Sequence, residues 1–469
     1  MGVYLNEGGE FMGLKKSYEI DMCNGPLLSR ILLFAFPLMC SGVLQLLFNA
    51  ADIIIVGRYT GSQSMAAVGA TASLIGLLVN FFIGISVGAN VLIARFCGGN
   101  EYDDAQETVQ TSLVTALIGG CILSAIGIVG ARSMLEWMAT PSDVLEEAIL
   151  YMRLYFLGMP ATLIYNFGAA ILRAIGDTRR PLYFLLFSGA ANVVCDLFFI
   201  VQLQWGVAGA AGATVIAQII SAGLIVYCLT QTDGMCHVNL KRIRFYQEKF
   251  IRLMQIGLPA GLQSVIFNIS NVLIQSSVNS FGATVVAGNT AAYNLEGFVY
   301  TAMNAIYQTT LSFSSQNYGA KKFHRIDQIL IRCAILVAVL GLVLGNGLYL
   351  LGEPLLSIYS DEPIVIQYGL SRLAVISVGY FICGLMDVFA GTIRGLGYSI
   401  LPMIVSLIGA CAFRILWIFT VFRWHRSLFV LYASYPISWT LTLSAYFICY
   451  FIIRRRTFPP KQPKSMEAI

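Results

Sequence analysis

Long apolar runs alternate with short polar connections along almost the whole chain. A helix needs roughly 20 mainly apolar residues to cross the hydrocarbon core of a bilayer, and each of these runs is long enough. The pattern therefore predicts twelve membrane-spanning helices. Their predicted limits are 28–56, 66–94, 108–130, 147–172, 181–203, 206–230, 252–280, 284–315, 328–351, 364–393, 399–422 and 427–453.

The composition agrees with a membrane protein that has many spans. Of the 469 residues, 57% are hydrophobic and 11% are charged, whereas soluble domains average about 45–50% apolar and about 25% charged residues. The net charge of +5 is spread over the connections, so we expect no nucleic-acid partner. Phosphate-binding loops, hydrolase motifs and metal-binding cysteine spacings are missing from the sequence, so we expect neither an enzyme nor a cofactor.

Basic residues collect at alternate connections and so predict the orientation of the chain. Arg179 and Arg180 follow the fourth predicted span, and Arg454–Arg456 follow the twelfth. Connections rich in lysine and arginine stay on the cytoplasmic side of a membrane. We therefore expect a multi-pass protein of the cell membrane with both termini in the cytoplasm.

The two halves of the chain repeat each other at an offset of about 221 residues. Arg173-Ala-Ile-Gly176 returns as Arg394-Gly-Leu-Gly397, and Pro37 in the first span returns as Pro259 in the seventh. Each of these prolines removes a backbone donor, so we predict a helix kink or hinge at both. An even number of spans in each half makes the repeats parallel. The predicted domains are a cytoplasmic N-terminal segment 1–27, a six-helix lobe 28–230, a cytoplasmic linker 231–250, a second six-helix lobe 251–453 and a cytoplasmic tail 454–469.

Acidic and amide side chains inside the first lobe are the best candidates for chemistry. Asp52 lies in span 1, Asn192 and Asp196 lie four residues apart on one face of span 5, and Thr214 lies in span 6. A rise of 1.5 Å per residue places Asp52, Asp196 and Thr214 within roughly 6 Å of one depth. A carboxylate exposed to lipid would cost several kcal/mol, so we expect all four side chains to share one cavity.

Two neighbouring carboxylates in a low dielectric need a proton or a cation between them. Oxygen ligands from Asp, Asn and Thr suit Na⁺ or H⁺ better than a soft transition metal. We therefore predict a coupling-ion site for H⁺ or Na⁺ at Asp52, Asn192, Asp196 and Thr214.

The second lobe offers a weaker polar site, for which the candidates are Glu296, Asp387, Arg414 and Asn271. Depth counting places Glu296 and Arg414 at a similar level and predicts an ion pair between them, with either a transport role or a structural one. Asp387 lies more than about 10 Å deeper, where a wet cytoplasmic vestibule could hold it. Five aromatic residues are placed where they could line a cavity for flat hydrophobic cations, namely Phe81, Phe82, Tyr165, Phe167 and Tyr293.

Taken together, these features resemble bacterial multidrug and toxic compound extrusion (MATE) transporters. Three segments carry the resemblance: Phe34-Ala-Phe-Pro-Leu-Met39, Asn49-Ala-Ala-Asp52-Ile-Ile-Ile-Val-Gly57 and Arg394-Gly-Leu-Gly-Tyr398. The resemblance implies an all-α fold with two six-helix bundles around a V-shaped central cavity. It also implies export of amphipathic, often cationic compounds by rocking of the two lobes in exchange for H⁺ or Na⁺. Asp52 resembles the acid of the family's first helix, and Asn192, Asp196 and Thr214 resemble its partners.

The sequence departs from this family in helix 7. Members thought to use a second-lobe Na⁺ site carry an acid there, where this chain has Asn271 and no acid nearby. An alternative function is the flipping of lipid-linked saccharides, as in the wider superfamily. Strongly cationic cavity walls would favour that alternative, but the predicted cavity is acidic apart from Arg414. The expected partners are an amphipathic small molecule and membrane lipids, and we expect a monomer.

Overall fold

The computed structural model describes residues 18–232 and 234–458, which form helices and their connections. The predicted segments 1–27 and 454–469 therefore lie partly outside the described residues. The helices of the first half are α1 (Leu27–Thr60), α2 (Ser62–Gly99), α3 (Tyr102–Trp137), α4 (Ser142–Leu157), α5 (Met159–Ala174), α6 (Arg179–Asp196), which continues as a π-helical turn (Leu197–Gln202), and α7 (Gly206–Gln231).

The second half repeats this order after a short 3-10 turn (Leu240–Arg242). Its helices are α8 (Gln247–Asn279), α9 (Ala283–Gly319), α10 (Phe323–Leu350), α11 (Gly352–Leu356), α12 (Pro363–Gly395), α13 (Ile400–Ser406), which continues as a second π-helical turn (Leu407–Ala412), α14 (Phe413–Phe419), α15 (Val421–Trp424) and α16 (Leu428–Thr457).

Each of the twelve predicted spans has a helical counterpart. Within the described residues, ten helical segments are long and apolar enough to cross a membrane, and α4 with α5 forms an eleventh, broken span. The twelfth counterpart is α9, a helix of 37 residues that is more polar than the others and packs centrally against α1, α2, α10 and α12. The predicted class, an all-α membrane protein of two six-helix bundles, is confirmed.

The break between α4 and α5 is a feature that the hydrophobic pattern did not predict. The two helices meet at Gly158 with a bend of 49°. Pro160 is the second residue of α5, and its ring would clash with the carbonyl of residue 156 in a continuous helix. By contrast, Pro37 and Pro259 lie inside helices that continue past them. A hinge at either proline remains a prediction.

The two lobes approach each other closely near one end of the molecule. Gly84 and Gly88 of α2 face Gly257 and Gly261 of α8, and a Cβ atom at any of these positions would meet the other helix. Beyond this crossing, Gly98 lies against the backbone of α9 in the same way. We call the end at which α2 ends the closed end, because backbones of the two lobes are in contact there.

A polar bridge reinforces the contact between the lobes. The amide of Asn90 in α2 donates to the carbonyl of Ala170 in α5 (3.0 Å) and accepts from the hydroxyl of Ser312 in α9 (3.1 Å). All the side-chain atoms involved are buried, so the two bonds strengthen a contact that apolar packing already makes.

The N-terminal strap, which we define as residues 18–26, crosses the closed end and bonds to both lobes. The backbone amide of Ile20 donates to the carbonyl of Gly176 in the first lobe (3.2 Å). From the second lobe, Asn317 donates to the carbonyl of Met22 (3.0 Å), and Arg325 donates to that of Asn24 (2.9 Å). The strap therefore has to give up one set of bonds if the lobes separate at this end.

The reactivity of the Cys23 thiol in the strap depends on this contact. Burial raises the pKa of the Cys23 thiol to about 11, so little of the reactive thiolate exists near neutral pH. Burial is the largest cause of this shift, whereas the positive charge of Arg325 lowers the thiol pKa by a smaller amount. If Arg325→Ala releases the strap, the loss of burial should outweigh the loss of that charge, so the thiol pKa should fall toward its ordinary value and the thiolate fraction should rise about tenfold for each pKa unit. In a chain that keeps Cys23 as its only cysteine, we expect maleimide labelling to become 10- to 100-fold faster, by order of magnitude.

The matched control is Arg332→Ala, which removes an arginine from the same helix two turns away without touching the strap. It should leave the labelling rate unchanged. An equal rate in wild type and Arg325→Ala would mean that the strap does not shield Cys23.

Candidate ion and substrate site

Asp52 and Asp196 lie side by side where α1 packs against α6. The close approach of the two helices depends on Gly189, since a Cβ atom there would meet the ring of Phe48. The carboxyl groups of Asp52 and Asp196 are within hydrogen-bonding reach of each other. Asp196 is almost fully buried, and Asp52 is partly exposed. Residues 144 positions apart in the sequence thus form one acidic pair.

The backbone changes its helical form directly after this pair. Residues Leu197–Gln202 form a π-helical turn that begins at the residue after Asp196. Single π turns are rare within helices and occur frequently at functional sites. Asn192 lies one helical turn before Asp196 and is also buried, so the end of α6 directs an amide and a carboxyl group to one side.

Several polar atoms around the pair are buried without a hydrogen-bond partner among the described residues. They are Oδ1 of Asp52, Nδ2 of Asn192, both carboxyl oxygens of Asp196 and Oε1 of Gln218. Buried polar groups in proteins are normally hydrogen-bonded, so such a cluster calls for a ligand. A proton shared by the two carboxyl groups would satisfy an oxygen on each, and a small cation could bind the same oxygens.

Three residues of this cluster were missed by the sequence analysis. Gln218 lies on α7, one turn after Thr214, and Tyr151 and Tyr155 lie on α4 close to the acidic pair. The four-residue spacing from Thr214 could have identified Gln218. The tyrosines gave no such signal, because aromatic residues are common throughout the apolar runs.

Thr214 is near this cluster, but its hydroxyl is used elsewhere. It donates to the carbonyl of Ala210 one turn earlier in α7, at 3.0 Å. Of the four predicted residues, Asp52 and Asp196 contact each other, Asn192 lies one turn away, and Thr214 shares a helix face with Gln218.

The predicted ion pair between Glu296 and Arg414 is wrong. Glu296 of α9 instead accepts two hydrogen bonds from Arg372 of α12, at 3.1 Å from Nε and 2.7 Å from Nη2. The third donor group of Arg372 bonds to Oδ1 of Asn289 at 2.8 Å, and the hydroxyl of Tyr432 donates to the same oxygen. Depth counting fixed the level of these side chains but not the direction in which each helix presents them.

The remaining candidates of the second lobe do not form a single site. Arg414 donates from Nε to the hydroxyl of Ser438 at 2.9 Å. Asp387 lies fifteen residues after Arg372 in α12, which is about 22 Å along the helix, near Tyr300. Asn271 of α8 has no hydrogen bond from its side chain within the described part of the chain.

Only some of the five aromatic residues that were predicted to line a cavity are exposed. Phe167 has no exposed area and packs in the core of the first lobe, so its assignment to a cavity is wrong. Phe82 packs against Gly119 and Phe81 against Gly261, whereas Tyr165 donates to the carbonyl of Pro181 at 3.1 Å. Tyr293, by contrast, is 57% exposed. Tyr293 lies two turns before Thr301, on the face of α9 that is turned toward the other lobe. On that face the side chain of Thr301 contacts Gly42 of α1.

The network of Glu296 and Arg372 should act as a structural unit. Removing one charge of a buried pair typically costs about 3–5 kcal/mol, whereas replacing both by apolar groups can be nearly neutral. We therefore expect Glu296→Leu to lower the thermal unfolding temperature in detergent far more than the double change Glu296→Leu with Arg372→Met. Tryptophan fluorescence during heating measures both, and a double variant as unstable as the single one would contradict the assignment.

The chain is similar to known proteins in both sequence and fold. The model of one protein family, MatE, matches residues 37–198 and again residues 259–420. The two matched segments have the same length and are offset by 222 residues, close to the offset of the internal repeat. Together they cover more than half of the chain.

Individual relatives and solved structures extend the match to almost the full length. The probable multidrug resistance protein YoeA of Bacillus subtilis is 26% identical over 421 residues, which are 88% of this chain and 90% of the relative. An FAD transporter of Shewanella oneidensis is 23% identical over 78% of this chain and 82% of its own. A MOP superfamily transporter from Pyrococcus furiosus, described as having a binding pocket of reverse polarity, superimposes with a TM-score of 0.88 at 20% identity, over 94% of this chain and 98% of that one.

Proposed function

Because the chain belongs to the MatE family, a family of membrane transporters rather than enzymes, we propose that it is a secondary antiporter. In this proposal it exports amphipathic small molecules from the cell in exchange for H⁺ or Na⁺ and needs no cofactor. The observation that carries the proposal is the buried pair Asp52 and Asp196, whose unpartnered oxygens offer a place for one positive charge.

The coupling ion would bind between the two carboxyl groups. In the described state their oxygens approach each other within hydrogen-bonding reach, a geometry that suits one shared proton. Na⁺ would need the carboxyl oxygens to separate slightly and to be joined by further oxygens such as Oε1 of Gln218. The geometry thus favours H⁺, and Na⁺ is the alternative outcome of the test below.

Alternating access would open and close the two ends of the cavity in turn. The closed end carries many cations, among them Arg179, Arg180, Lys322 and Arg325. By the positive-inside rule this end faces the cytoplasm, and both termini lie on that side. The described state is then closed toward the cytoplasm. Ion binding at Asp52 would change the packing of α1 against α6 and so favour one of the two states.

The substrate proposed for the central cavity is an amphipathic compound, commonly cationic. The acidic first lobe would attract a cation, and the exposed ring of Tyr293 offers a face for cation–π contact. The relative from Bacillus subtilis is named for multidrug resistance, which agrees with a broad range of small molecules. Many large apolar side chains on the outer helices are exposed, so we expect a monomer surrounded by lipid.

A second candidate is the transport of anionic compounds, including lipid-linked saccharides. It is favoured by the arginines of the second lobe, and the Shewanella relative is named for FAD, an anion. We rank it lower because Glu296 balances the charge of Arg372 and Asp387 lies near Arg394. Within the described residues this leaves Arg414 as the buried guanidinium of the second lobe that has no carboxylate nearby, against two carboxyl groups in the first lobe.

The proposal is tested with purified protein in vesicles loaded with ethidium, a flat cationic dye. Proton and sodium gradients are imposed separately. We expect Asp52→Asn and Asp196→Asn each to reduce gradient-driven transport by at least tenfold, because the neutral amide cannot exchange an ion. Wild-type transport should respond to a proton gradient without Na⁺. A response to Na⁺ alone would assign the site to sodium.

The matched control is Asp361→Asn, which removes a carboxylate from the exposed connection between α11 and α12. This variant should transport as wild type does. Full activity of a well-folded Asp52→Asn protein would refute the proposed coupling site.

A further inference from the structure

The second lobe contains a polar cluster in the place that corresponds to the acidic pair of the first lobe. Pro181 and Pro402 correspond at an offset of 221 residues, whereas Arg414 corresponds to Asn192 at the offset of 222 shown by the matched segments. The π-helical turn 407–412 lies between Pro402 and Arg414 and accommodates the additional residue. Tyr435 corresponds to Thr214 at an offset of 221.

Charge has the opposite sign in this second cluster. Arg372 and Arg414 both lie over the ring of Tyr435, at 5.8 Å and 4.2 Å from its centre. Glu296 forms an ion pair with Arg372. Arg414, which is 2% exposed, has no carboxylate partner among the residues that the structure describes. One buried positive charge is therefore left without a counter-ion.

The guanidinium of Arg414 is held in place, but not all of its hydrogen-bond donors have a partner in the described part of the chain. Its Nε donates to Ser438, and the group also lies 5.8 Å from the ring of Trp439. Its two terminal nitrogens have no hydrogen-bond partner within the described residues, yet they are not among the fully buried unpartnered atoms. A small exposed area, 2% for the whole residue, therefore remains at these nitrogens. A charged side chain at this depth in a membrane protein normally marks a functional site.

The exposed side of the cluster is aromatic. Tyr293 is widely exposed and lies 5.6 Å from the guanidinium of Arg372, and Tyr435 is partly exposed. A ligand that approaches Arg414 from the cavity would thus pass between tyrosine rings. A planar guanidinium binds a carboxylate through two parallel hydrogen bonds, and aromatic faces bind flat apolar groups.

We propose that Arg414, Tyr435 and Trp439 form a subsite for the carboxylate of a planar aromatic substrate. The carboxylate supplies the missing counter-ion, and its aromatic ring packs against the tyrosines. Among the compounds that enter the cavity, those that carry an aromatic carboxylate are preferred over neutral analogues of the same shape. The inference depends on the proposed function only in that the ligand reaches the subsite through the central cavity.

The test measures binding of radiolabelled 1-naphthoate to the full-length protein in lipid nanodiscs by equilibrium dialysis. The neutral analogue 1-naphthamide is measured in parallel. We expect wild type to bind naphthoate at least tenfold more tightly than naphthamide, and Arg414→Gln to remove that difference. Arg414→Lys keeps the charge but loses the planar pair of donors, so it should fall between the two.

The matched control is Arg426→Gln, which removes an exposed arginine that bonds to Ser280 in the same lobe. It should bind naphthoate as wild type does. The proposal is overturned if wild type shows no preference for naphthoate, if Arg414→Gln keeps the preference, or if Arg426→Gln loses it equally.

A second measurement covers the case in which Arg414→Gln does not fold. Trp439 lies beside the subsite, so naphthoate should change the fluorescence of wild type but change that of Trp439→Phe at least threefold less. Equal changes in the two proteins would also overturn the assignment.

Asp52→Asn separates this inference from the proposed function. It should bind naphthoate normally while losing ion-driven ethidium transport. If Asp52→Asn transports ethidium normally and Arg414→Gln still loses naphthoate binding, the coupling proposal fails and the subsite stands.

Discussion

The structure depends on one constraint, which is that ionisable groups inside a membrane protein need a partner. The second lobe meets the constraint internally for Glu296, since Arg372, Asn289 and Tyr432 form a closed hydrogen-bonded network around it. The first lobe does not, because Asp52 and Asp196 carry buried carboxyl oxygens that have no hydrogen-bond partner in the described part of the chain. A satisfied network rigidifies a bundle, whereas buried polar atoms without partners mark a place where a proton, an ion or water can bind. This contrast separates a structural cluster from a candidate transport site.

Helix α1 connects the acidic pair to the contact between the lobes. Val56, near one end, packs in the core of the first lobe, whereas Phe34, near the other, packs in the core of the second. The ring of Phe34 lies edge-on to that of Phe313 in α9, at 5.4 Å. Pro37 lies between these regions, where the helix lacks one backbone hydrogen bond. Ion binding at Asp52 could therefore act on the lobe contact through a single helix with one weakened turn.

The hydrophobic pattern predicted the fold well because a bilayer imposes a simple rule on length and polarity. The repeat was visible in the sequence because glycines and prolines mark turns and close contacts in both halves. The pattern failed where local chemistry overrides it. Pro160 divides one apolar run into two helices, and α9 crosses the molecule although it is more polar than its neighbours.

The candidate site was predicted in part. Depth counting along helices brought Asp52 and Asp196 to one level, and the structure places them in contact. The same counting paired Glu296 with Arg414, because it carries no information on which face of a helix a side chain occupies. Arg372 was present in the sequence eight residues into its apolar run, yet only the packing of α9 against α12 identifies it as the partner.

The two lobes therefore hold buried clusters of opposite charge, even though one sequence pattern produced both. In the proposed mechanism, a proton on the acidic pair removes negative charge from the first lobe and leaves Arg414 in the second unchanged. A bound organic cation then loses its electrostatic partner at the moment when the ion arrives, which couples release to ion entry. An aromatic carboxylate held at Arg414 would not lose its partner in this way. The charge on a substrate would thus decide how strongly its release depends on the ion.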